Sequence, residues 1–222
     1  MLGYHVSKHR SRSTNSRRRA GLLASKETTE ARIFHGTLHA LARQGPKKLT
    51  MSDIAGEAGV SAGTLYRYFK NKDDILRALS DYYVMGLRRV LQQAIEDEPK
   101  PEDRLRVVVD VMLRYWEETP GLLRLGEMEP GWVIGYIKSV WQPLSRVLHD
   151  ALEPALVESP SIQLGAATVD EVVDLIMRVA VSNYFLPVRD YRELRDLCVA
   201  LWTAAGLEPK KARARAGRKA AS

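Results

Sequence analysis

From Glu27 onward the apolar positions recur three and four residues apart, the spacing that puts them on one face of a helix. There is no alternating strand pattern, no Asn-Gly or Asp-Gly hairpin and no internal repeat, so the pattern predicts an all-α fold. A first helix is expected over 29–44, with Phe34, Leu38 and Leu41 on one face and Gly45-Pro46 ending it. Two short helices follow over 51–58 and 62–69. A fourth starts behind Asn71, with Asp73 and Asp74 favourably placed against its dipole, and runs through Ile75, Leu79, Tyr82, Tyr83, Leu87 and Leu91 to about Ile95. The stretch 97–101 is a break. Beyond it helices are expected over 102–118, 122–127, 132–156, 168–186 and 191–205, with Pro120, Pro130, Pro160 and Pro187 at the joints. Pro143 and Pro154 fall inside the long segment and predict a kink or interruption there. The sum is a three-helix head and a larger helical body, about nine helices in all. The expected division is a basic extension at 1–26, a head at 27–80, a body at 81–207 and a basic tail at 208–222.

The segment 50–69 has punctuation with local mechanical reasons. Thr50 and Asp53 have the spacing of a capping box, in which each side chain accepts from the other's backbone N–H. Ile54, Ala55 and Ala58 face inward, and the two alanines let short helices cross closely. Gly59 supplies a left-handed turn, Val60 fills the angle between the helices, and Ser61 caps the next helix. Together these make a helix-turn-helix. On its second helix Leu65 and Phe69 point to the core, leaving Ala62, Gly63, Tyr66 and Arg67 outward. Small residues at that helix's start allow close backbone approach to the floor of a major groove. Thr64, Tyr66, Tyr68 and Lys72 can reach phosphates, while Arg67 can read a guanine, hold a phosphate or pair with an acidic neighbour.

The run from Ile54 to Ser61, followed by Thr64-Leu65-Tyr66-Arg67-Tyr68-Phe69-Lys70-Asn71-Lys72-Asp73-Asp74-Ile75-Leu76, closely resembles the N-terminal signature of TetR-type regulators. The resemblance spans about 29–79 and implies an all-helical homodimer with a DNA-binding head, a connecting fourth helix and a ligand-binding and dimerisation body. It implies DNA contacts from Thr50, Ser52, Ser61, Ala62, Gly63, Thr64, Tyr66, Tyr68 and Lys72, to which the outward Arg67 is added. Ser52 stands where many members of the family carry a longer base-reading side chain, so readout from that helix is expected to be thin. The basic extension is also longer than the family's usual short arm. It either reaches phosphates or a minor groove, or is a solvated tail or an early start site.

Charge sharpens this division. The 222-residue chain has a net charge of +7, yet 1–26 carries seven Lys/Arg and no acid, and 208–222 carries six Lys/Arg against Glu208. What remains is about +2 for 27–80 and about −7 for 81–207, a basic N-terminal end on an acidic body. No apolar run approaches the roughly 20 residues of a membrane span, and 1–26 is charged where a signal peptide needs an apolar core, so a cytoplasmic protein is expected. The single cysteine, Cys198, excludes an intrachain disulfide and a cysteine-rich zinc site, and in Leu197-Cys198-Val199 it reads as a small buried hydrophobe.

All four tryptophans lie in the body. Trp116, Leu123, Met128, Trp132, Ile134, Tyr136, Ile137 and Trp141 either wall an elongated apolar pocket or pack as ordinary core. Asn183, within an apolar run, is a candidate polar anchor for a ligand, and a partner helix or a water would satisfy it equally. Val172, Val173, Ile176, Val179 and Ala180 with Leu194, Leu197, Cys198 and Leu201 give the last two helices broad apolar faces, suited to a two-fold four-helix dimer interface. An enzyme is not expected. His35 and His39 lack the Glu of a His-Glu-x-x-His site, His149-Asp150 lacks a nucleophile, and no Gly-rich phosphate loop occurs. No cofactor or metal is expected. The expected partners are an inverted-repeat duplex operator, a small effector and a second copy of the chain, with no membrane. The expected function is a repressor released by an apolar or amphipathic effector. The alternatives are an activator and a DNA-binding scaffold protein without effector.

Overall fold

The computed structural model describes residues 28–117 and 121–205, and the expected basic extension and tail lie outside them. The described residues are helical throughout, with no strand. In order they form α1 Thr29–Gln44, α2 Met51–Ala58, α3 Ala62–Tyr68, α4 Lys72–Asp97, a 3-10 turn Pro101–Asp103, α5 Arg104–Glu117, α6 Leu122–Met128, α7 Pro130–Leu156, α8 Pro160–Gln163, α9 Val169–Phe185 and α10 Tyr191–Ala205. The helix-turn-helix head joined to a helical body is the architecture that the apolar spacing predicts. Helix α8 was not foreseen, since four residues are too few to show a period. Helix α7 is not interrupted at Pro143 or Pro154.

Helix α1 lies across α2 and also packs on α6 and α4. Its crossing with α2 requires Gly36, because a Cβ there would sit 2.5 Å from the backbone nitrogen of Ala58. Arg43 of α1 reaches Glu57 of α2 at 3.4 Å on the outer side of the same crossing. In the body α9 packs on α7 and α5, α4 on α5 and α7, and α10 on α5. One apolar cluster fills the body, from Leu87 and Leu91 through Val108, Met112, Leu144 and Leu148 to Val173 and Met177.

The second cluster is more informative about mechanism. It contains Ile33, Phe34, Leu41, Ile54, Leu65 and Ile75 of the head, and also Leu122 and Leu125 of α6, Val133 of α7 and Tyr184 of α9. The Tyr184 hydroxyl donates to the Leu122 carbonyl. Its ring passes so near Gly126 that a Cβ there would sit 2.6 Å from the phenolic oxygen. Burial raises this phenol's pKa to about 12. Helix α6 is thus a wedge shared by both parts, and displacing it must disturb the packing under α1.

Candidate nucleic-acid interface

The recognition segment is built by backbone capping. Thr50 takes the extended conformation before α2, its Oγ1 accepts from the Asp53 N–H at 3.2 Å, and the Asp53 carboxylate accepts from the Thr50 N–H at 3.0 Å. The hydrogen bond from Thr50 is the main reason the Asp53 carboxyl is held below its ordinary pKa. Gly59 closes α2 in the left-handed region at φ 61°, a conformation that a side chain would disfavour. Ser61 Oγ accepts from the Thr64 N–H at 3.0 Å and starts α3. Asn71 then accepts from the Asp74 N–H at 2.9 Å and starts α4.

These caps hold α3 by its inner edge only. Leu65 and Phe69 are buried, whereas Ser61, Ala62, Gly63, Tyr66, Arg67 and Tyr68 are exposed. Thr64 is half-buried, sharing a 2.9 Å hydrogen bond with Ser61 Oγ. Tyr66 is 55% exposed, a large ring left facing water on the outer side of α3. Arg67 has its guanidinium 5.7 Å from the Tyr68 ring centroid and no carboxylate partner among the described residues, so its fork is available to a base or a phosphate. Thr50 and Ser52 are exposed at the start of α2. Lys72 is half-buried, and its Nζ lies 3.5 Å from the Leu49 carbonyl, at the limit of a hydrogen bond. Sequence reasoning missed Lys47, Lys48 and Lys70, exposed and without an ion pair among the described residues. The Lys-Lys pair two residues ahead of the Thr50 cap was the available signal. The head thus combines an exposed helix with exposed cations that have no ion pair among the described residues, an arrangement able to neutralise phosphates while presenting side chains to base edges.

The structure bears on three sets of body residues. Val173, Ile176 and Ala180, expected at a dimer interface, are buried in the chain's own core together with Val172, because α9 turns that face onto α7 and α5. Leu194 and Cys198 pack partly against the same core, and Leu197 and Leu201 stay exposed at 55% and 62%. The free face of α9 is instead the side carrying Leu175, 60% exposed, which the sequence reading passed over. Second, the aromatic wall does not close around one cavity. Leu123, Met128 and Ile134 are exposed, Trp132 stacks on Tyr136 at 5.7 Å, and the Arg178 guanidinium lies over Trp141. Trp116 is on α5, its side chain outside the described ones. The void nearest that wall admits only about 10 Å³ and is lined by Leu122, Val133, Tyr136, Ile137, Val181 and Tyr184. Third, the buried Asn183 spends its carbonyl oxygen on the Val188 N–H at 3.2 Å, tying the turn after α9. Among the described residues no cluster of His, Cys, Asp or Glu has the makings of a metal site, and no helix is long and apolar enough to cross a membrane.

A helix-turn-helix with an exposed second helix on an all-helical body defines a class, the helical DNA-binding regulators. Residues 33–79 match the family described as bacterial regulatory proteins, tetR family. The head of the chain is thus a tetR-type helix-turn-helix domain. It is 30% identical over 108 residues to the nucleoid occlusion factor SlmA of Pectobacterium carotovorum, and equally to that of Yersinia enterocolitica. That match covers 46% of this chain and 54% of each relative, so the chain spans about half the length of the curated relatives it matches. Solved structures share the fold at lower identity. The fatty acid degradation regulator FadR from Bacillus halodurans superposes with a TM-score of 0.62 at 18% identity, covering 80% of this chain and 95% of that one. FadR from Bacillus subtilis in complex with stearoyl-CoA gives 0.57 at 20%, covering 77% and 95%. A TetR transcription regulator from Haloarcula marismortui gives 0.61 at 22%, covering 80% and 97%.

Proposed function

We propose that the protein is a dimeric repressor that occupies an inverted-repeat operator and leaves it when a small amphipathic effector enters the body. The observation carrying the DNA half is the exposed outer face of α3, with Tyr66, Arg67 and Tyr68 exposed and Lys47, Lys48 and Lys70 exposed without an ion pair among the described residues. Contacts are assigned to Thr50, Ser52, Ser61, Ala62, Gly63, Thr64, Tyr66, Arg67, Tyr68 and Lys72. Dimerisation is assigned to Leu175, Leu197 and Leu201, apolar side chains that the monomer leaves in water. Two copies joined there present two recognition helices to successive major grooves, about 34 Å apart.

The shared wedge supports the effector half. The void among the aromatic residues is small, about 10 Å³, so an effector entering there makes room between α6, α7 and α9. Opening that space pushes on Leu122 and Leu125, which pack directly into the head's core. A coupling of about 1–3 kcal/mol would lower operator affinity about 5- to 150-fold. The stearoyl-CoA bound by the Bacillus subtilis protein of the same fold is amphipathic and sets the class to try first.

A second reading has its own support. The 30% likeness to a nucleoid occlusion factor, with only a small void among the aromatic residues, favours a DNA-binding scaffold protein without effector. One experiment separates the two: genomic fragments retained by the purified protein are sequenced, then challenged with long-chain acyl-CoA. The repressor reading expects an inverted repeat, saturable acyl-CoA binding and release of the fragment. Retained fragments with no such response to a panel of amphipathic metabolites favour the scaffold, and no retained fragment sinks both.

A further inference from the structure

We propose that the end of the body farthest from the head binds a small amine with an apolar body, in a cleft between the 3-10 turn, α7, α8 and α10. The site is separate from the space between α6, α7 and α9, and it does not depend on DNA binding. Helix α7 spans the distance between the two. Val133 near its start packs into the head's cluster, and Leu156 at its end lines the cleft, about 35 Å away along the axis. The cleft has a volume of about 320 Å³, against about 10 Å³ for the void beside the aromatic wall, and falls within the range of small-ligand sites.

The fold sets the walls in advance. Pro101 opens the 3-10 turn and Pro160 opens α8, so φ is fixed at two edges of the cleft. Ser159 Oγ donates to the Leu156 carbonyl at 2.7 Å, and the Ser161 carbonyl accepts from the Ala166 N–H at 2.8 Å, which ties down the turn around α8. A preformed cleft spares an incoming ligand the cost of ordering loops.

The lining chemistry defines the ligand. Leu105, Leu156, Val199 and Trp202 supply an apolar wall that suits a ring or a short alkyl chain. Ser161 is only 5% exposed, and its hydroxyl has no hydrogen-bond partner among the described residues, a position in which a polar group costs stability until something bonds it. Glu102 is exposed and has no ion pair among the described residues, so its carboxylate is available to a cation. The indole of Trp202 adds ring faces that attract cations and repel anions. The whole chain has a net charge of +7, which opposes a cation at long range, so a preference for an amine here has to arise from these local groups.

Occupancy has a mechanical consequence. Val199 and Trp202 belong to α10, and none of residues 191–202 is fully buried, so this helix is held lightly. A ligand between α10, α7 and the 3-10 turn adds contacts that the helix lacks.

The test titrates the full-length protein with phenethylamine, phenethyl alcohol and hydrocinnamate, three probes with the same ring and different head groups, by isothermal calorimetry. Phenethylamine should bind saturably with a Kd of about 1 mM or below, ahead of the alcohol, with the acid weakest. Glu102→Gln should weaken the amine about threefold or more and leave the alcohol unchanged. Ser161→Ala should weaken both, and the control Glu127→Gln on α6 should change neither. Bound amine should also slow hydrogen exchange across 191–202. Glu102 is on the surface, so its variant should melt like the parent by circular dichroism and keeps the test decisive if Ser161→Ala folds poorly. Absence of saturable binding by every probe below about 10 mM overturns the proposal, because the cleft then holds only solvent. Binding of the acid as tight as that of the amine overturns it too, as does amine binding indifferent to Glu102→Gln.

Discussion

The head and the body are both made of amphipathic helices, but their helices begin differently. In the head, α1, α2, α3 and the emerging α4 each start with a side-chain cap, from Thr28, Thr50, Ser61 and Asn71 in turn. In the body, α6, α7 and α8 start without a side-chain cap hydrogen bond, while α9 has a full capping box from Thr168 and Glu171. Capping fixes a boundary within four residues of chain, whereas the body's boundaries depend on what packs against them. The head needs that autonomy because α3 must stay rigid while presenting most of its surface to water.

That contrast can be broken most severely where the backbones of α1 and α2 approach at Gly36. Gly36→Val drives a side chain into the Ala58 backbone and should cost about 3 kcal/mol or more, read by chemical denaturation. A loss below about 1 kcal/mol would mean that α1 and α2 can separate freely. In the body the corresponding device is polar. Arg195 of α10, 16% exposed, bonds Asp110 of α5 at 2.7 Å, so Arg195→Met should cost about 1–2 kcal/mol and loosen α10 first in hydrogen exchange. Thr50→Ala removes one half of the α2 capping box and should cost about 1 kcal/mol, with duplex affinity falling more than stability.

The smallest effect at neutral pH comes from the wedge. The Tyr184 phenol has its pKa raised from 10.0 to about 12 by burial, so the folded state holds this proton more tightly than the unfolded state. Its contribution is complete below pH 10.0 and is lost as pH rises through about 12, and Tyr184→Phe should flatten that alkaline loss. Phenolate absorbance against pH checks it, and titration of all phenols near pH 10.0 in the folded protein would refute it.

The same contrast explains what was legible in the sequence. Thr50, Asp53, Gly59, Ser61 and Asn71 announce their roles through spacing alone, and the structure has them in those roles. Helix α9 is apolar on both sides, with Val172, Val173 and Ile176 inward and Leu175 outward. Periodicity finds such a helix without telling which face the chain itself covers, which is why residues that the chain itself buries read as a dimer face. Aromatic content misled for a related reason. Trp132, Tyr136 and Trp141 have the composition of a pocket wall, yet stacking and a cation over a ring satisfy them without a large cavity. The shared α6 wedge carries no local signature, because Leu122 and Leu125 meet the head only through the fold.

The most direct measurement of the central claim is a dimethyl sulfate protection footprint of the full-length protein on a fragment it retains, reading guanine N7 in the major groove and adenine N3 in the minor groove. Two protected windows, about one helical turn apart on one face of the duplex and weakened together by Tyr66→Ala with Arg67→Ala, are the predicted result. A single window, protection confined to the minor groove, or a footprint indifferent to both substitutions would show that α3 does not read the major groove.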